Sequence, residues 1–407
     1  MKENLELQEI SSSLLEYKNL QPPFKTQSDI VTDFRSRIET YLEAIDKIKM
    51  KYPNNQTIKK VTTKKNTIKT LSKNICITLE HYLNGNIKEA YKNFNHAIVG
   101  STIEDHLYKM TVPLTKLCNN RVPLFRVRKS EKILKNREEL FHIPFNQRHL
   151  VSAQRFSVSG LPCLYLGTSV LVCWQEMGKP DFDKLYISSF ITEKESSEIR
   201  ILDLGYNLTS VLRPKESDLS FLDNDDNDDN DDNDTNDKVS KLIAWPLVLA
   251  CNYTKEHEHA SFHKEYIIPN LLMQWISSDI NKDISGISYR STKILNQRDS
   301  DIGINVILPP KMDAIPKPTD NYCPKLKKIF KLTNPVSWAV FSTLKVEGYS
   351  KSTLPMENPQ INYVAGSGTI DNFDESLVDY YKDTTFKNVE ELIHSIMKYE
   401  YIHDDSL

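Results

Sequence analysis

The spacing of apolar residues changes near residue 120, and this change constrains the fold more than any other feature of the chain. Before it, apolar residues recur at intervals of three and four, which is the pattern of amphipathic helices. After it, short apolar runs alternate with turn residues, which is typical of strands. The sequence therefore predicts an α+β protein in which an all-helical N-terminal domain precedes a mixed α/β unit.

Three amphipathic helices are predicted in the N-terminal region. The first covers 28–50, where Ser28 and Asp29 are candidate capping residues. The second covers about 66–83, and the third begins near Ile87. We interpret this region as a scaffold, an oligomerisation module or a regulatory module.

The region after residue 120 contains several runs with the character of strands. The predicted strands lie at 123–128, 163–169, 184–191, 199–205, 286–292 and 304–310. Helices are predicted at 169–177 and at 267–279, where Pro269 fits the first turn. Further along the chain, 336–344 is predicted to be a strand and 388–402 a helix.

An acidic tract interrupts the strand-rich region. Residues 223–237 contain nine Asp and no Lys or Arg, and we expect a disordered insertion over 218–238 because like charges repel and no apolar surface can be buried. A calcium loop is the alternative, but the central Gly and the terminal Glu of an EF-hand are missing. The net charge of −3 includes these nine carboxylates, so the rest of the chain carries +6. A basic remainder suits an anionic ligand such as a dinucleotide.

Composition excludes several other classes of protein. No apolar run approaches the roughly 18 residues of a membrane span, and the N-terminus lacks the pattern of a secretory signal, so a cytoplasmic protein without membrane contact is expected. The six cysteines form no CxxC pair, so neither a zinc ribbon nor a thioredoxin-type site is expected. The motifs GxGxxG, GxxxxGK[ST] and GxSxG are also missing, which disfavours Rossmann dehydrogenases, P-loop enzymes and serine hydrolases. The Lys-rich segment between the first two helices is interpreted as a solvated surface, so no nucleic acid partner is expected.

A set of short motifs follows in a fixed order after residue 120. Phe125-Arg126 lies in a predicted strand, and the turn 155–160 reads RFSVSG. Tyr165 then lies in the next strand and Glu176 at the end of a short helix. In this order and spacing the chain resembles the RES domain family, which is named for its arginine, glutamate and serine.

The later part of the RES pattern is also present. The segment 286–292 reads GISYRST and supplies Ser291 as the family's serine, with Ser288 as the alternative. Asn305 with Pro309 resembles the closing segment of the family, and 263–276 resembles the longer RES proteins. Ser157 stands where many members of the family have Asn, which affects the expected ribose contacts.

The resemblance implies a core similar in fold to ADP-ribosyltransferases, with NAD as its substrate. The expected domains are a helical domain over 1–115, a RES catalytic domain over 116–315 and an α/β extension over 316–407. The expected activity is cleavage of the nicotinamide–ribose bond, by hydrolysis, phosphorolysis or transfer of ADP-ribose to a macromolecule. The expected role is that of a toxin or a defence effector. An antitoxin or another regulatory protein is the expected partner, and self-association is a further alternative.

The chemistry of NAD cleavage assigns roles to these residues. Glu176, Arg155 and Ser291 are the candidate catalytic residues, because a carboxylate can stabilise an oxocarbenium-like ribose and a serine can donate a hydrogen bond near nicotinamide. The candidate residues for binding NAD are Arg126, Tyr165, Phe156 and Ser157. Arg126 and Arg155 are the candidate cations for the pyrophosphate, because the forked guanidinium of arginine is always charged.

Each of these residues, taken alone, also has a structural interpretation as a surface arginine, an exposed helix position or a core tyrosine. Their order along the chain favours the NAD site over a catalytically inert binding module. His257, His259 and His263 have a spacing that could supply metal ligands, but no matching Cys or carboxylate pattern surrounds them. No metal is expected.

Overall fold

The computed structural model describes residues 2–99, 101–212, 231–278, 281, 283–294, 301–312, 315–316, 321–343 and 381–402. Helices and one mixed sheet together make up this part of the chain, so the α+β class is confirmed. None of its helices has the length and apolar character needed to span a membrane.

In the part of the chain that the structure describes, six α-helices precede the first strand. They are α1 (Lys2–Leu15), α2 (Ile30–Lys51), α3 (Gln56–Thr63), α4 (Lys65–Leu83), α5 (Ile87–Val99) and α6 (Ser101–Lys109). The three predicted helices correspond to α2, α4 and α5 and are confirmed. The side chain of Asp29 accepts hydrogen bonds from the backbone N–H groups of Val31 and Thr32, as expected of an N-cap residue.

The described strands form one mixed sheet. They are β1 (Thr111–Pro113), β2 (Leu124–Lys129), β3 (Leu164–Gly167), β4 (Leu185–Thr192), β5 (Arg200–Leu204), β6 (Ile284–Arg290), β7 (Ile304–Leu308), β8 (Phe330–Leu332) and β9 (Val336–Ser337). The spatial order is β1-β5-β6-β7-β3-β2-β4-β8, and β9 also pairs with β4. Only the β5–β6 pair among these is parallel. All six strands predicted between 123 and 310 are present.

The remaining described α-helices lie between or beside the strands. They are α7 (Leu114–Leu117), α8 (Val170–Glu176), α9 (Leu208–Leu212), α10 (Asp231–Ile243), α11 (Trp245–Cys251), α12 (Ile267–Ser277), α13 (Pro324–Ile329), α14 (Trp338–Phe341) and α15 (Thr385–Ile396). The predicted helices at 169–177 and 267–279 correspond to α8 and α12. All six cysteines are buried as free thiols.

The N-terminal helices share a hydrophobic core with the later helices α10 to α12 and with β5 and β6. The buried Tyr41 on α2 donates a hydrogen bond of 2.6 Å to the carbonyl oxygen of Leu242 on α10. Strand β1 lies inside the predicted range 1–115 of the helical domain, yet it pairs with β5. The helical region is therefore packed into the sheet-bearing part of the chain over a continuous interface.

The C-terminal segment extends the same sheet. Strands β8 and β9 pair with β4, and α15 packs against α8 and β4. The strand predicted over 336–344 is wrong for most of its length, because the chain turns into α14 after two residues of strand. Trp338 and Phe341 are three residues apart, so a helical turn brings both aromatic rings into one buried cluster. Of the helix predicted over 388–402, the part up to Ile396 is helical.

The predicted disordered insertion over 218–238 requires a correction at its end. Residues 213–230 lie outside the described part of the chain, but the helix α10 begins at Asp231. Lys238 pairs with Asp234, and Lys241 pairs with Asp237, one helical turn apart. These lysines offset the acidic residues before them, and the apolar residues that follow are buried.

The close approach of β6 to β7 predicts that Gly286→Ala destabilises the protein. A Cβ atom at this position would lie 2.5 Å from the carbonyl oxygen of Ile307 and 3.1 Å from Cδ1 of Ile201. We expect the free energy of unfolding, measured with a denaturant, to decrease by about 1–3 kcal/mol, which is the usual cost of overpacking. Thr70→Ala, at an exposed position of α4, is the control and should change the free energy of unfolding by less than about 0.5 kcal/mol. A Gly286→Ala variant as stable as the wild type would contradict this packing.

Candidate active site

Glu176 is the last residue of α8, and the turn that precedes this helix is tight. Gly167 ends β3, and a Cβ atom there would lie 2.5 Å from a side-chain carbon of Val172. Ser169 caps the helix by accepting a hydrogen bond of 3.0 Å from the backbone N–H of Val172. The short connection therefore fixes the direction of α8 relative to the sheet, and with it the position of Glu176.

The side chain of Glu176 receives two hydrogen bonds on one oxygen. Ser291 Oγ donates to Glu176 Oε1 at 2.7 Å, and Asn305 Nδ2 donates to the same atom at 3.0 Å. Ser291 and Asn305 are buried, whereas Glu176 is only half-buried. The carboxylate is thus held in one orientation by two fixed donors, and neither of these two hydrogen bonds uses Oε2.

Ser288, the alternative serine, has a different partner. Its Oγ is fully buried and donates to Asp203 Oδ1 at 3.0 Å. Ser291 lies just beyond the end of β6, where it faces Glu176. The structure therefore brings together Glu176 and Ser291, and the chemical role of that serine stays a prediction.

Arg155 is buried, with 5% of its surface exposed, and its guanidinium is hydrogen-bonded within the chain. Nη1 donates to the carbonyl oxygen of Cys251, and Nη2 donates to that of Tyr253 at 2.6 Å and to Thr292 Oγ1 at 3.3 Å. The guanidinium carbon also lies 5.0 Å from the centre of the Tyr266 ring. Arg155 thus joins the end of α11 to the end of β6, beside the site.

Arg126 and Tyr165 lie on the neighbouring strands β2 and β3. Arg126 Nη1 donates to the carbonyl oxygen of Tyr165 at 3.2 Å, and its buried Nε has no hydrogen-bond partner within the described part of the chain. Burial, with a smaller contribution from Arg128, lowers the pKa of Arg126 to about 10. Its guanidinium therefore carries a charge that the surrounding protein solvates poorly.

Phe156 and Ser157 form the turn that precedes β3. Phe156 has a φ of 57°, and its buried ring lies 4.9 Å from that of Tyr289, centre to centre. Tyr165 donates its hydroxyl hydrogen to the carbonyl oxygen of Phe156 at 3.3 Å. The backbone N–H of Ser157 donates to Asn270 Oδ1 on α12 at 3.0 Å. These contacts fix the turn, and its direct contact with a ligand stays a prediction.

Two buried tyrosines show that these residues share one environment. Burial raises the pKa of Tyr266 to about 12, Arg155 opposes this shift, and Glu176 reinforces it. Burial also raises the pKa of Tyr289; Glu176 raises it further, and Arg155 lowers it. Glu176, Arg155 and the two tyrosines therefore lie within electrostatic range of one another.

Sequence reasoning did not assign roles to Asn305 and Tyr266. Asn305 is the polar residue in the apolar strand INVIL, and a buried amide of this kind needs a partner. This signal could have identified Asn305 as a residue with a buried hydrogen-bond partner, which the structure shows to be Glu176. Tyr266 lies in the segment that resembles the longer RES proteins, but its contact with Arg155 has no local signal.

The three histidines considered as metal ligands do not converge. Across the described ranges, no group of three His, Cys, Asp or Glu side chains is arranged to hold a metal ion. The ring of His263 instead lies 5.1 Å from that of Tyr266.

The start of α8 is held by the C-terminal helix α15. Glu390 is 4% exposed, and its Oε1 accepts hydrogen bonds from the backbone N–H of Val170 at 2.6 Å and from the hydroxyl of Tyr381. Burial raises the pKa of Glu390 to about 7, although both donors act to lower it. The C-terminal segment therefore contacts the helix that carries Glu176.

This buried acid predicts a specific pH dependence of stability. Glu390 ionises near 4.5 in an unfolded chain and near 7 in the folded protein, so the unfolded state loses its proton first and stability falls as the pH rises across this interval. Glu390→Gln removes this effect. Between pH 5 and pH 8, the free energy of unfolding of the variant should rise by up to about 3 kcal/mol relative to that of the wild type. Glu391→Gln, at a side chain 53% exposed, should follow the wild-type profile. Parallel profiles for wild type and Glu390→Gln would disprove the assignment.

The hydrogen bonds of Arg155 predict a loss of stability in Arg155→Lys. Lysine cannot reproduce the two guanidinium nitrogens that donate to the backbone carbonyl oxygens of Cys251 and Tyr253, so at least one of these buried carbonyl groups loses its donor. We expect a decrease of about 2–3 kcal/mol in the free energy of unfolding, measured with urea. Arg121→Lys, at an exposed position, should have no measurable effect. An Arg155→Lys variant as stable as wild type would mean that these hydrogen bonds contribute nothing.

Comparison with known proteins identifies one informative relative. The chain is 30% identical over 347 residues to the protein named "Putative toxin YopC" from Bacillus subtilis (strain 168). The aligned region covers 83% of this chain and 72% of that protein. No protein-family model matches the chain, and no solved structure matches it.

Proposed function

We propose that this chain, which belongs to the family of the Bacillus subtilis protein named "Putative toxin YopC", acts as a toxin by cleaving the nicotinamide–ribose bond of NAD. The observation that carries this proposal is the carboxylate of Glu176, oriented by Ser291 and Asn305 on one oxygen. The RES-like order of motifs along the chain supplies the reaction class. We also propose that the catalytic unit resembles ADP-ribosyltransferases in fold.

Cleavage at this site requires a group that stabilises positive charge on the ribose. As the bond between C1′ and the pyridinium nitrogen breaks, nicotinamide leaves as a neutral molecule with the bonding electron pair, and the ribose becomes oxocarbenium-like. The Oε2 atom of Glu176 is the oxygen that remains to face the ribose, because the two donors bind Oε1. A fixed carboxylate stabilises this charge without reorganising.

The other predicted residues are assigned the following parts in this reaction. Arg126 supplies a buried positive charge with a free Nε, Tyr165 contacts it through its backbone carbonyl oxygen, and Phe156 contacts the Tyr165 hydroxyl. In this proposal Ser291 orients Glu176, and Arg155 and Ser157 hold the surrounding loops rather than the phosphates. An inhibitory antitoxin is the partner expected of such a toxin.

The acceptor of ADP-ribose defines three versions of the reaction. Water yields ADP-ribose, nicotinamide and a proton, and phosphate yields an ADP-ribose phosphate ester. A nucleophilic side chain of a macromolecule yields a covalent ADP-ribose adduct. The residues around Glu176 serve bond cleavage in all three versions, so the products must be identified by experiment.

The proposal predicts that Glu176→Gln abolishes the release of nicotinamide from NAD. Glutamine keeps an acceptor oxygen for Ser291 and Asn305 but removes the negative charge, and we expect a loss of at least about 10³-fold in rate with little change in thermal stability. Nicotinamide is measured by chromatography with the full chain. Glu198→Gln, at an exposed position, is the control and should retain wild-type activity.

The same assay is run with NAD alone, with added phosphate and with cell lysate containing labelled NAD. Free ADP-ribose indicates hydrolysis, a phosphorylated product indicates phosphorolysis, and label on a macromolecule indicates ADP-ribosyl transfer. Wild-type protein that releases no nicotinamide under any of these conditions contradicts the proposed reaction, as does a fully active Glu176→Gln variant.

A further inference from the structure

One carboxylate oxygen lies between two lysines at the edge of the site. Glu258 Oε1 is 3.3 Å from Lys293 Nζ and 3.7 Å from Lys255 Nζ. Partial burial acts to raise the pKa of Glu258, but the two ammonium groups outweigh it and hold this pKa below its ordinary value. Two cations therefore converge on a single anionic oxygen.

Both lysines are joined to the groups around Glu176. The backbone N–H of Lys293 donates to Ser291 Oγ at 3.2 Å, and its Nζ donates to the backbone carbonyl oxygen of Glu176 at 3.5 Å. Lys255 Nζ lies 5.5 Å from the centre of the Tyr266 ring, whose phenol is within electrostatic range of Glu176. Lys293 thus contacts the backbone of the residue proposed to act on the ribose, and Lys255 is connected to it through the shared carboxylate of Glu258.

The lysines and the carboxylate differ in how firmly they are held. The side chains of Lys255 and Lys293 are 19% and 26% exposed, whereas that of Glu258 is 55% exposed. An exposed ion pair contributes little to stability, so the carboxylate can leave at small cost. The two lysine side chains are mostly buried, so they are held more firmly than the carboxylate.

The two predicted arginines are less suited to binding a phosphate directly. Three hydrogen bonds within the chain occupy the terminal nitrogens of Arg155, and Arg126 is bound to the carbonyl oxygen of Tyr165. A pyrophosphate carries two negative charges, and its binding requires cations that can exchange their present partner for it.

From these contacts we propose that Lys255 and Lys293 form the subsite for the pyrophosphate of NAD, and that Glu258 occupies this subsite in the free protein. The inference rests on the proposed function, because it assigns a part of the same substrate. In the bound state the phosphate oxygens replace Glu258 between the two ammonium groups. Glu258 is then an internal competitor that weakens binding and disfavours ligands without a diphosphate.

The test measures binding of ADP-ribose to the full chain by titration calorimetry, because this ligand keeps the pyrophosphate but lacks the bond to be cleaved. Lys255→Gln and Lys293→Gln should each weaken binding about tenfold, since each removes one charged hydrogen-bond donor. Glu258→Gln should tighten binding about two- to fivefold, since it removes the competitor. Lys264→Gln is the matched control, because Lys264 is paired with Glu256 on the same loop, and its affinity should equal that of wild type.

Two further variants and probes make the result specific. Lys293→Arg should retain most of the affinity, because it keeps the positive charge. If the side chain had only a structural role, the affinity would not depend on whether the new residue is charged. Inorganic pyrophosphate should compete with ADP-ribose for wild type and compete more weakly for Lys293→Gln. Wild-type affinity in both lysine-to-glutamine variants, or no gain in Glu258→Gln, overturns the assignment.

The outcome separates this inference from the proposed reaction. If the variants change ADP-ribose binding as expected but the wild type releases no nicotinamide, the subsite is supported and the proposed activity is refuted. If the protein cleaves NAD and both lysine-to-glutamine variants have an unchanged KM, the activity is supported and the subsite is refuted.

Discussion

The position of β7 between β6 and β3 is the constraint on which the candidate site depends. β3 leads through Gly167 into α8 and so delivers Glu176, while β6 ends next to Ser291. Asn305 on β7 pairs with Gly167 on one side and with Tyr289 on the other. Because β-sheet register fixes which residues lie side by side, this pairing brings Ser291 and Asn305 together at the carboxylate of Glu176.

Segments outside the RES-like region support this arrangement from two sides. On one side, Arg155 binds the carbonyl oxygen of Tyr253, whose hydroxyl donates to the buried Asp33 on α2, and Asp33 is paired with Arg37. The N-terminal helices are thereby linked to the loop next to the site. On the other side, Glu390 on α15 holds the first turn of α8. Both terminal regions are part of the scaffold that positions Glu176, and changes in either can alter the site from a distance.

Sequence patterns predicted those features that depend on neighbouring residues. The periodicity of α2, α4 and α5 and the apolar runs of β2 to β7 are local signals, and the structure follows them closely. The preference for Ser291 over Ser288 also followed from position, because a residue at the end of a strand faces a different environment from one in its middle. Where the pattern was mixed, as around Trp338, the aromatic contacts made after folding decided between strand and helix.

The features that escaped prediction depend on contacts between distant parts of the chain. Arg155 was expected to bind phosphate, and nothing in its sequence neighbourhood indicates the two carbonyl groups almost a hundred residues later that it serves. Lys255, Glu258 and Lys293 come together only because the loop after α11 and the end of β6 meet beside Glu176. The role assigned to a charged residue therefore changes once its actual partners are known.

A crystal structure of the Glu176→Gln variant with NAD bound is the decisive test of this site. We predict that the nicotinamide ribose lies against residue 176, with Ser291 and Asn305 still bound to its side chain. We also predict that the pyrophosphate lies between Lys255 and Lys293, with Glu258 displaced. NAD bound elsewhere on the protein, or bound with its ribose away from residue 176, would contradict the assignment of this site.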